Sequence, residues 1–226
     1  MNSNQLREKH TNQSYIINEQ SLLIENNIKQ CSKKLFDELT ISYPNNDIKL
    51  IYKFPLKLLS FLLDIDIHLS NENSFMKPDG GIILFNDIPI LCTEAKKQGT
   101  NNNRLQEGLK KQAKGNAIER CGKNIEIFRY ITYEHEYFPY LIFASGCDFE
   151  NGSSIIDRIL PFSSFRKPNE IYCFNQYKQF PKQPSVFINE NSFTTDFIYS
   201  KMKEISIGMI NIIKKEGKLW KKIKIT

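Results

Sequence analysis

The sequence predicts an α/β fold with a mixed central sheet flanked by helices, and three observations carry that prediction. Gly80-Gly81 precede an apolar run, Ile82 to Phe85, and Asn86-Asp87 supply turn chemistry before a return strand from Ile88 to Ala95. A helical period follows over residues 118–133. The run from Pro139 to Ser145 then reads as a strand buried on both faces. Strand, helix and strand in succession are the pattern of an α/β core.

The other elements follow in chain order. Residues 19–40 read as an amphipathic helix, with Leu22, Leu23, Ile28, Cys31, Leu35, Phe36 and Leu39 near helical spacing and Tyr43-Pro44-Asn45-Asn46 as its stop. Residues 53–63 read as a short second helix opening with Pro55. Asp64-Ile65-Asp66-Ile67-His68-Leu69 alternates, which predicts a strand with one wet face. After the hairpin come an Asn-rich loop at 101–103 and a short helix at 104–113, broken at Gly115. Near the C-terminus residues 197–213 place Phe197, Met202, Ile205, Met209 and Ile212 on one side of a helix. No internal repeat or long linker divides the chain, so a single domain over 1–226 is expected, with its functional core at about 75–150.

Composition narrows the function. A chain of 226 residues with 40% hydrophobic and 12% aromatic content can bury a full core. No stretch reaches the roughly 18–20 apolar residues a membrane span needs. Met1 to Gln5 lacks the apolar core of a secretory signal, so a cytoplasmic location is expected. Cys31, Cys92, Cys121, Cys147 and Cys173 are odd in number and scattered, which argues against a zinc site or disulfide framework and for packed free thiols. His10, His68 and His135 have no partners at motif spacing and read as structural. No phosphate-binding loop is present, which argues against ATP-driven translocation. The net charge of +6 favours a polyanionic partner. Lys214, Lys215, Lys218, Lys221, Lys222 and Lys224 concentrate charge at the C-terminus, where phosphate contact and a solvated helix end both remain open.

The chemistry-bearing residues are Asp79, at the start of one strand, and Glu94 and Lys96, near the end of its neighbour. A hairpin can bring the two strands' residues together, and residues two apart on a strand share a face. Two carboxylates can hold a hard cation that keeps several waters, as Mg²⁺ does, and the Ala95 carbonyl is a further candidate ligand. Such a metal polarises a phosphoryl oxygen and stabilises the leaving oxygen. Lys96 can lower the pKa of an attacking water or neutralise the pentavalent phosphate.

A second constellation runs Gly115-Asn116-Ala117-Ile118-Glu119-Arg120, then Lys123-Asn124. On a helix, Asn116, Glu119, Arg120 and Lys123 fall within about a 100° arc, opposite Ile118, Cys121, Ile125, Phe128 and Thr132. The outward set suits DNA. Asn matches the major-groove edge of adenine, Glu119 can accept from an exocyclic amine, and Arg120 can take a base acceptor or a phosphate. Gly115 lets the backbone pass close to DNA, and Lys110, Lys111 and Lys114 add charge.

Together these segments resemble the EcoRI family of type II restriction endonucleases. Lys77-Pro78-Asp79-Gly80-Gly81-Ile82 is similar to its first catalytic segment, Thr93-Glu94-Ala95-Lys96 to its second, and the Gly115–Arg120 block with Lys123-Asn124 to its base-reading segment. Phe138-Pro139-Tyr140 with Phe143 resembles the strand that follows. The resemblance implies a restriction-endonuclease-like core, with Asp79, Glu94 and the Ala95 carbonyl binding Mg²⁺ and Lys96 acting on the nucleophile. It implies a homodimer that cuts both strands of double-stranded DNA at a palindrome and leaves four-base 5′ overhangs, paired with a methyltransferase acting on the same site. Asn116, Glu119 and Arg120 would read the adenines of a central AATT, Ala113 and Ala117 would pack on the DNA, and Lys114, Gly115 and Lys123 would meet its backbone.

The sequence also departs from the family. Lys111-Gln112-Ala113-Lys114 stands where small and apolar residues are usual, and Arg158 matches a guanine-reading arginine while Pro161 stands near the place of a second. The outer base pair is therefore open: GAATTC, a relaxed purine-AATT-pyrimidine, or something else. A structure-selective repair or junction-resolving nuclease, and a DNA-binding protein without catalysis, are the competing readings; intact Asp79, Glu94 and Lys96 count against the latter.

Overall fold

The structure is a computed structural model that describes residues 3–99, 106, 108, 116–150, 153, 155–173 and 181–216. Helix α1 (Ser3–Ser42) opens the chain. Its buried stripe is Ile24, Ile28, Cys31, Leu35 and Leu39, spaced by three and four, whereas Leu22 and Leu23 are exposed. The helix thus runs well past the stretch expected at 19–40, with its apolar face rotated away from those two leucines.

The central sheet has five strands in the order β1-β4-β5-β6-β7: β1 (Ile48–Ile51), β4 (Gly81–Phe85), β5 (Ile88–Lys97), β6 (Tyr140–Ser145) and β7 (Ser185–Asn189). The first two pairings are antiparallel and the last two parallel, so the sheet is mixed as expected. Asn86 and Asp87, at φ 51° and 66°, form the two-residue turn that joins β4 to β5. A register shift beside Ile83 and Leu84 leaves an extra residue on β5.

Side chains leave the sheet alternately on two faces, and each face has its own core. Ile83, Phe85, Leu91, Leu141, Phe143 and Phe187 pack on α1 and on α5 (Thr195–Glu216), which buries Ile198, Met202, Ile205, Met209 and Ile210. Ile82, Leu84, Cys92, Tyr140, Ile142 and Val186 pack on α3 (Asn116–Ile131), through Cys121, Ile125 and Phe128. The result is helix, sheet and helix in three layers.

Two expectations need correction. Pro55 does not open a helix: Phe54–Pro55 is a short strand, β2, paired with β3 (Phe75–Met76), and α2 spans only Leu58–Leu63. A proline fits there because a short edge strand can spare its N–H. Residues 64–69 form no strand. Asp64 adopts a left-handed conformation (φ 54°) that ends α2, and Ile67 and Leu69 pack against the α3-side core without a neighbouring strand. The alternation is partial burial, at Ile67 and Leu69 but not at the exposed Ile65, and no strand pairs with it. The loop expected at 101–103 and almost all of the helix expected at 104–113 lie outside the described residues, as does the C-terminal tail beyond Glu216. Strands β1 and β7 went unpredicted; both are short, at 4 and 5 residues. All five cysteines are free thiols. No described helix is long and apolar enough to cross a membrane.

Candidate active site

Asp79 is fixed by the backbone around it. Gly80 donates its N–H to the Thr93 carbonyl at 3.0 Å, pulling the segment onto β5. A Cβ on Gly80 would lie 2.6 Å from Ile28 Cγ2 and 2.8 Å from Thr93 Cβ, so only glycine lets the chain pass between α1 and β5. Gly81 adds a left-handed φ of 76°. The carboxylate then accepts the Ala95 N–H at 2.8 Å through Oδ2.

Glu94 and Lys96 share the β5 face that looks toward α3. The Lys96 ammonium donates to Glu94 Oε1 at 2.5 Å, to the Ala95 carbonyl at 2.7 Å and to Asp79 Oδ2 at 3.5 Å. The structure therefore brings all four residues of the expected metal and catalytic set together. Burial pushes the Glu94 carboxyl up to about 7, against the opposing pull of Lys96 and of hydrogen bonds from Lys96 and Asn124. Burial alone would depress the Lys96 ammonium; Glu94 and Asp79 overcome it and hold it above its ordinary value. It stays a fixed positive charge rather than a proton acceptor.

Sequence reasoning missed three neighbours of this set. Asn124 on α3 donates from Nδ2 to Glu94 Oε2 at 3.1 Å and to Oε1 at 3.3 Å. Tyr140 on β6, fully buried, donates its hydroxyl to Glu94 Oε2 at 3.4 Å. Glu25 on α1 lines the same cleft; burial first, and the Asp79 charge second, raise its carboxyl. Asn124 did stand in the quoted segment, but with no face or role assigned to it. Tyr140 carried only the signal of a strand aromatic, and Glu25 carried none, because nothing local ties α1 to the hairpin.

The cleft above the site is lined by five cationic residues, Lys77, Lys96, Lys97, Arg120 and Lys123, against three carboxylates, Glu25, Asp79 and Glu94. Such a balance suits a phosphate backbone with a cation beneath it. Arg120 and Lys123 are exposed on α3, as the helical arc required, while Cys121, Ile125, Phe128 and Thr132 are buried on its other side. Asn116, Ala117 and Glu119 lie at the start of α3. Ala113, Lys114 and Gly115 lie outside the described residues. Arg158, on the one-turn helix α4 (Ile156–Ile159), is exposed and does not line this cleft.

The donor set fits a hard divalent cation. Among the described residues no group of three or more His, Cys, Asp or Glu side chains could hold a metal, so a site built on such a group is not offered there. What is present is a pair of carboxylates and a carbonyl whose oxygens already converge on one positive group, the Lys96 ammonium. Few protein ligands, all of them oxygen, are what Mg²⁺ takes while keeping its waters.

The family model described as restriction endonuclease EcoRI matches residues 10–225. The type II restriction enzyme RsrI of Cereibacter sphaeroides is 27% identical over 186 residues, covering 66% of this chain and 67% of its own length. The type II restriction enzyme EcoRI of Escherichia coli is 27% identical over 201 residues, 74% of this chain and 72% of its own.

Proposed function

The chain belongs to the EcoRI restriction endonuclease family, and from that premise we propose that it is a Mg²⁺-dependent homodimer that cuts double-stranded DNA at a palindrome with a central AATT, leaving 5′ overhangs. One observation carries the reading: Asp79, Glu94, the Ala95 carbonyl and Lys96 meet at a point beneath the helix that presents Arg120 and Lys123.

Asp79, Glu94 and the Ala95 carbonyl would hold the Mg²⁺ ion. When bound, it supplies polarisation of the phosphoryl oxygen and charge for the leaving oxygen. Lys96, kept protonated by the carboxylates, stabilises the hydroxide character of an attacking water and the extra charge of the pentavalent phosphate. Lys77, Lys97 and Lys123 draw the phosphate backbone into the cleft. Asn116, Glu119 and Arg120 read adenine edges, with Ala113, Lys114, Gly115 and Ala117 against the DNA, and a two-fold dimer turns each half-site into a palindrome. Arg158 is assigned to the outer base pair, which is GAATTC or purine-AATT-pyrimidine. A cognate methyltransferase marks the same site in the host.

Digestion of a sequenced phage genome with Mg²⁺, followed by sequencing of the ends, tests all of this together. Ends that share a central AATT and four-base 5′ overhangs are expected. Random ends, or cutting of supercoiled DNA that contains no AATT, would overturn the sequence-specific reading in favour of a structure-selective nuclease.

A further inference from the structure

Glu94 is held from two sides by elements of different kinds. Tyr140 reaches it from β6, a strand hydrogen-bonded to β5 over six residue pairs, Cys92↔Tyr140 to Lys97↔Ser145. Asn124 reaches it from α3, where its one amide nitrogen donates to both carboxylate oxygens in a bifurcated contact, at 3.1 and 3.3 Å. A carboxylate that accepts from a fixed donor on each side has little freedom to turn. The two holders differ in what else they touch. Tyr140 is locked among Phe128 and Phe138, with ring centroids 5.4 and 5.7 Å away. Asn124 sits one turn beyond Arg120 on a helix whose exposed side lines the DNA cleft.

That helix moves as a unit if it moves at all. Its inner face is packed by the fully buried Cys121, Ile125 and Phe128, and Gly122 abuts the Phe162 ring. A rise of about 1.5 Å per residue places Asn124 only some 6 Å along the axis from Arg120. A small shift or roll of α3 as it seats on DNA therefore carries Asn124 with it, and hydrogen bonds of 3.1–3.3 Å are lost with a displacement of a few tenths of an ångström.

We propose that Asn124 is a positioning residue that couples base reading to hydrolysis, transmitting the seating of α3 on its DNA site to the orientation of Glu94. The inference rests on the reading that α3 meets DNA. On a matched site Asn124 holds Glu94 as a metal-ready carboxylate. On a mismatched site α3 seats differently, the amide disengages, and cleavage falls by more than binding does. Tyr140, whose backbone is fixed in the sheet although its ring also meets Phe128 of α3, supplies the part of the restraint that depends least on DNA.

The experiment compares wild type with Asn124→Ala, the isosteric Asn124→Asp, and Tyr140→Phe. Binding is measured with Ca²⁺, and single-turnover cleavage with Mg²⁺, on the cognate site and on a site with one base pair changed. Thermal stabilisation by Ca²⁺ alone is a readout independent of activity. Asn124→Ala is expected to slow cognate cleavage by about 10–100-fold, the usual cost of losing a partner that orients a metal ligand. It should reduce the Ca²⁺ stabilisation, leave cognate binding close to wild type, and shrink the excess of cleavage discrimination over binding discrimination toward none. Asn124→Asp keeps the shape but opposes Glu94 with an acceptor, and should show the same loss or a deeper one. Tyr140→Phe should slow cleavage yet keep wild-type discrimination. If Asn124→Ala and Asn124→Asp cut more slowly but discriminate as wild type does, or if they lose cognate binding in proportion to cleavage, the coupling role is wrong. If the wild-type protein itself selects no sequence, the base-reading premise fails and the inference with it, an outcome seen before any variant is made.

Discussion

The hairpin that carries Glu94 and Lys96 and helix α3 face each other across one cleft, yet they are built on opposite principles. In the hairpin every residue of β5 from Ile88 to Lys96 is buried, and the strand is hydrogen-bonded on both edges. Its charged groups are satisfied by one another, by backbone and, at Glu94, by Asn124 and Tyr140. Helix α3 is anchored on one face only, and Arg120 and Lys123 point into solvent. The difference separates two tasks. A metal and a nucleophile need ligands fixed to a fraction of an ångström, which a buried sheet supplies. Base edges are met from outside, so the residues that read them must be exposed before DNA arrives.

Breaking the hairpin should have the largest effect. On the proposed metal site, Asp79→Ala or Glu94→Ala would remove a ligand from a cation that supplies several kcal/mol of transition-state stabilisation, so cleavage should fall by roughly 10³-fold or more. Binding in Ca²⁺ should change far less, as a gel-shift titration beside a cleavage assay would show; retained cutting would remove the residue from the metal site. The helix should behave in the reverse way. Arg120→Ala or Asn116→Ala should weaken cognate binding by roughly 1–3 kcal/mol and relax selectivity at the adenines. Unchanged affinity and an unchanged cutting pattern would take either residue out of base reading.

The two regions also differ in how far the sequence revealed them. Asp79, Glu94 and Lys96 are close in sequence, and a hairpin with an Asn-Asp turn leaves one way to bring them together. Alternation along β5 then decides which side chains share a face. The arc on α3 was equally legible, since 3.6-residue periodicity alone sorts Arg120 and Lys123 from Cys121 and Phe128. What stayed hidden depends on contacts between distant segments. Asn124 was given no role because helix geometry cannot reveal that a buried carboxylate on β5 lies within its reach. Glu25 needed the path of α1 over the hairpin. The same limit explains residues 64–69, whose alternation fits a strand or an irregular segment lying on a core, and only the absence of a partner decides.

Metal loading sharpens the contrast at the next level of magnitude. Glu94, pushed up to about 7 by burial, must lose its proton before it can serve as a ligand. Divalent-ion affinity should therefore rise with pH up to about 7 and level off above it, a change of about tenfold between pH 6 and 8. Ca²⁺ titrations followed by thermal shift would measure it, with proton release on binding at pH 6. A flat profile would mean that Glu94 is already ionised at pH 6. If α3 meets DNA as proposed, metal-free binding does not pass through the Glu94 carboxylate and should not follow the same curve.

The smallest expected effect sets the hairpin against the far end of α3, through stability rather than activity. The metal-free protein carries Glu94 with a folded value near 7, above its ordinary 4.5, so the folded state holds this proton longer than the unfolded chain does. Its contribution is complete below about 4.5 and is lost as pH rises toward 7. His135, just past the end of α3, shows the opposite sign. Burial, with the Lys182 charge second, depresses its imidazole from 6.5 to about 4. The unfolded chain therefore takes up this proton first as pH falls. Stability from His135 is complete above 6.5 and is lost as pH falls toward 4. In thermal unfolding without metal, Glu94→Gln should flatten the rising-pH limb and His135→Gln the falling one, each by roughly 3 °C per pH unit. The two mutations should act on separate limbs, and adding Ca²⁺ should reverse the Glu94 limb while leaving that of His135 in place. If both limbs respond to either mutation, the hairpin and the far end of α3 titrate as one unit, and the division between a buried sheet and an independently seated helix does not hold.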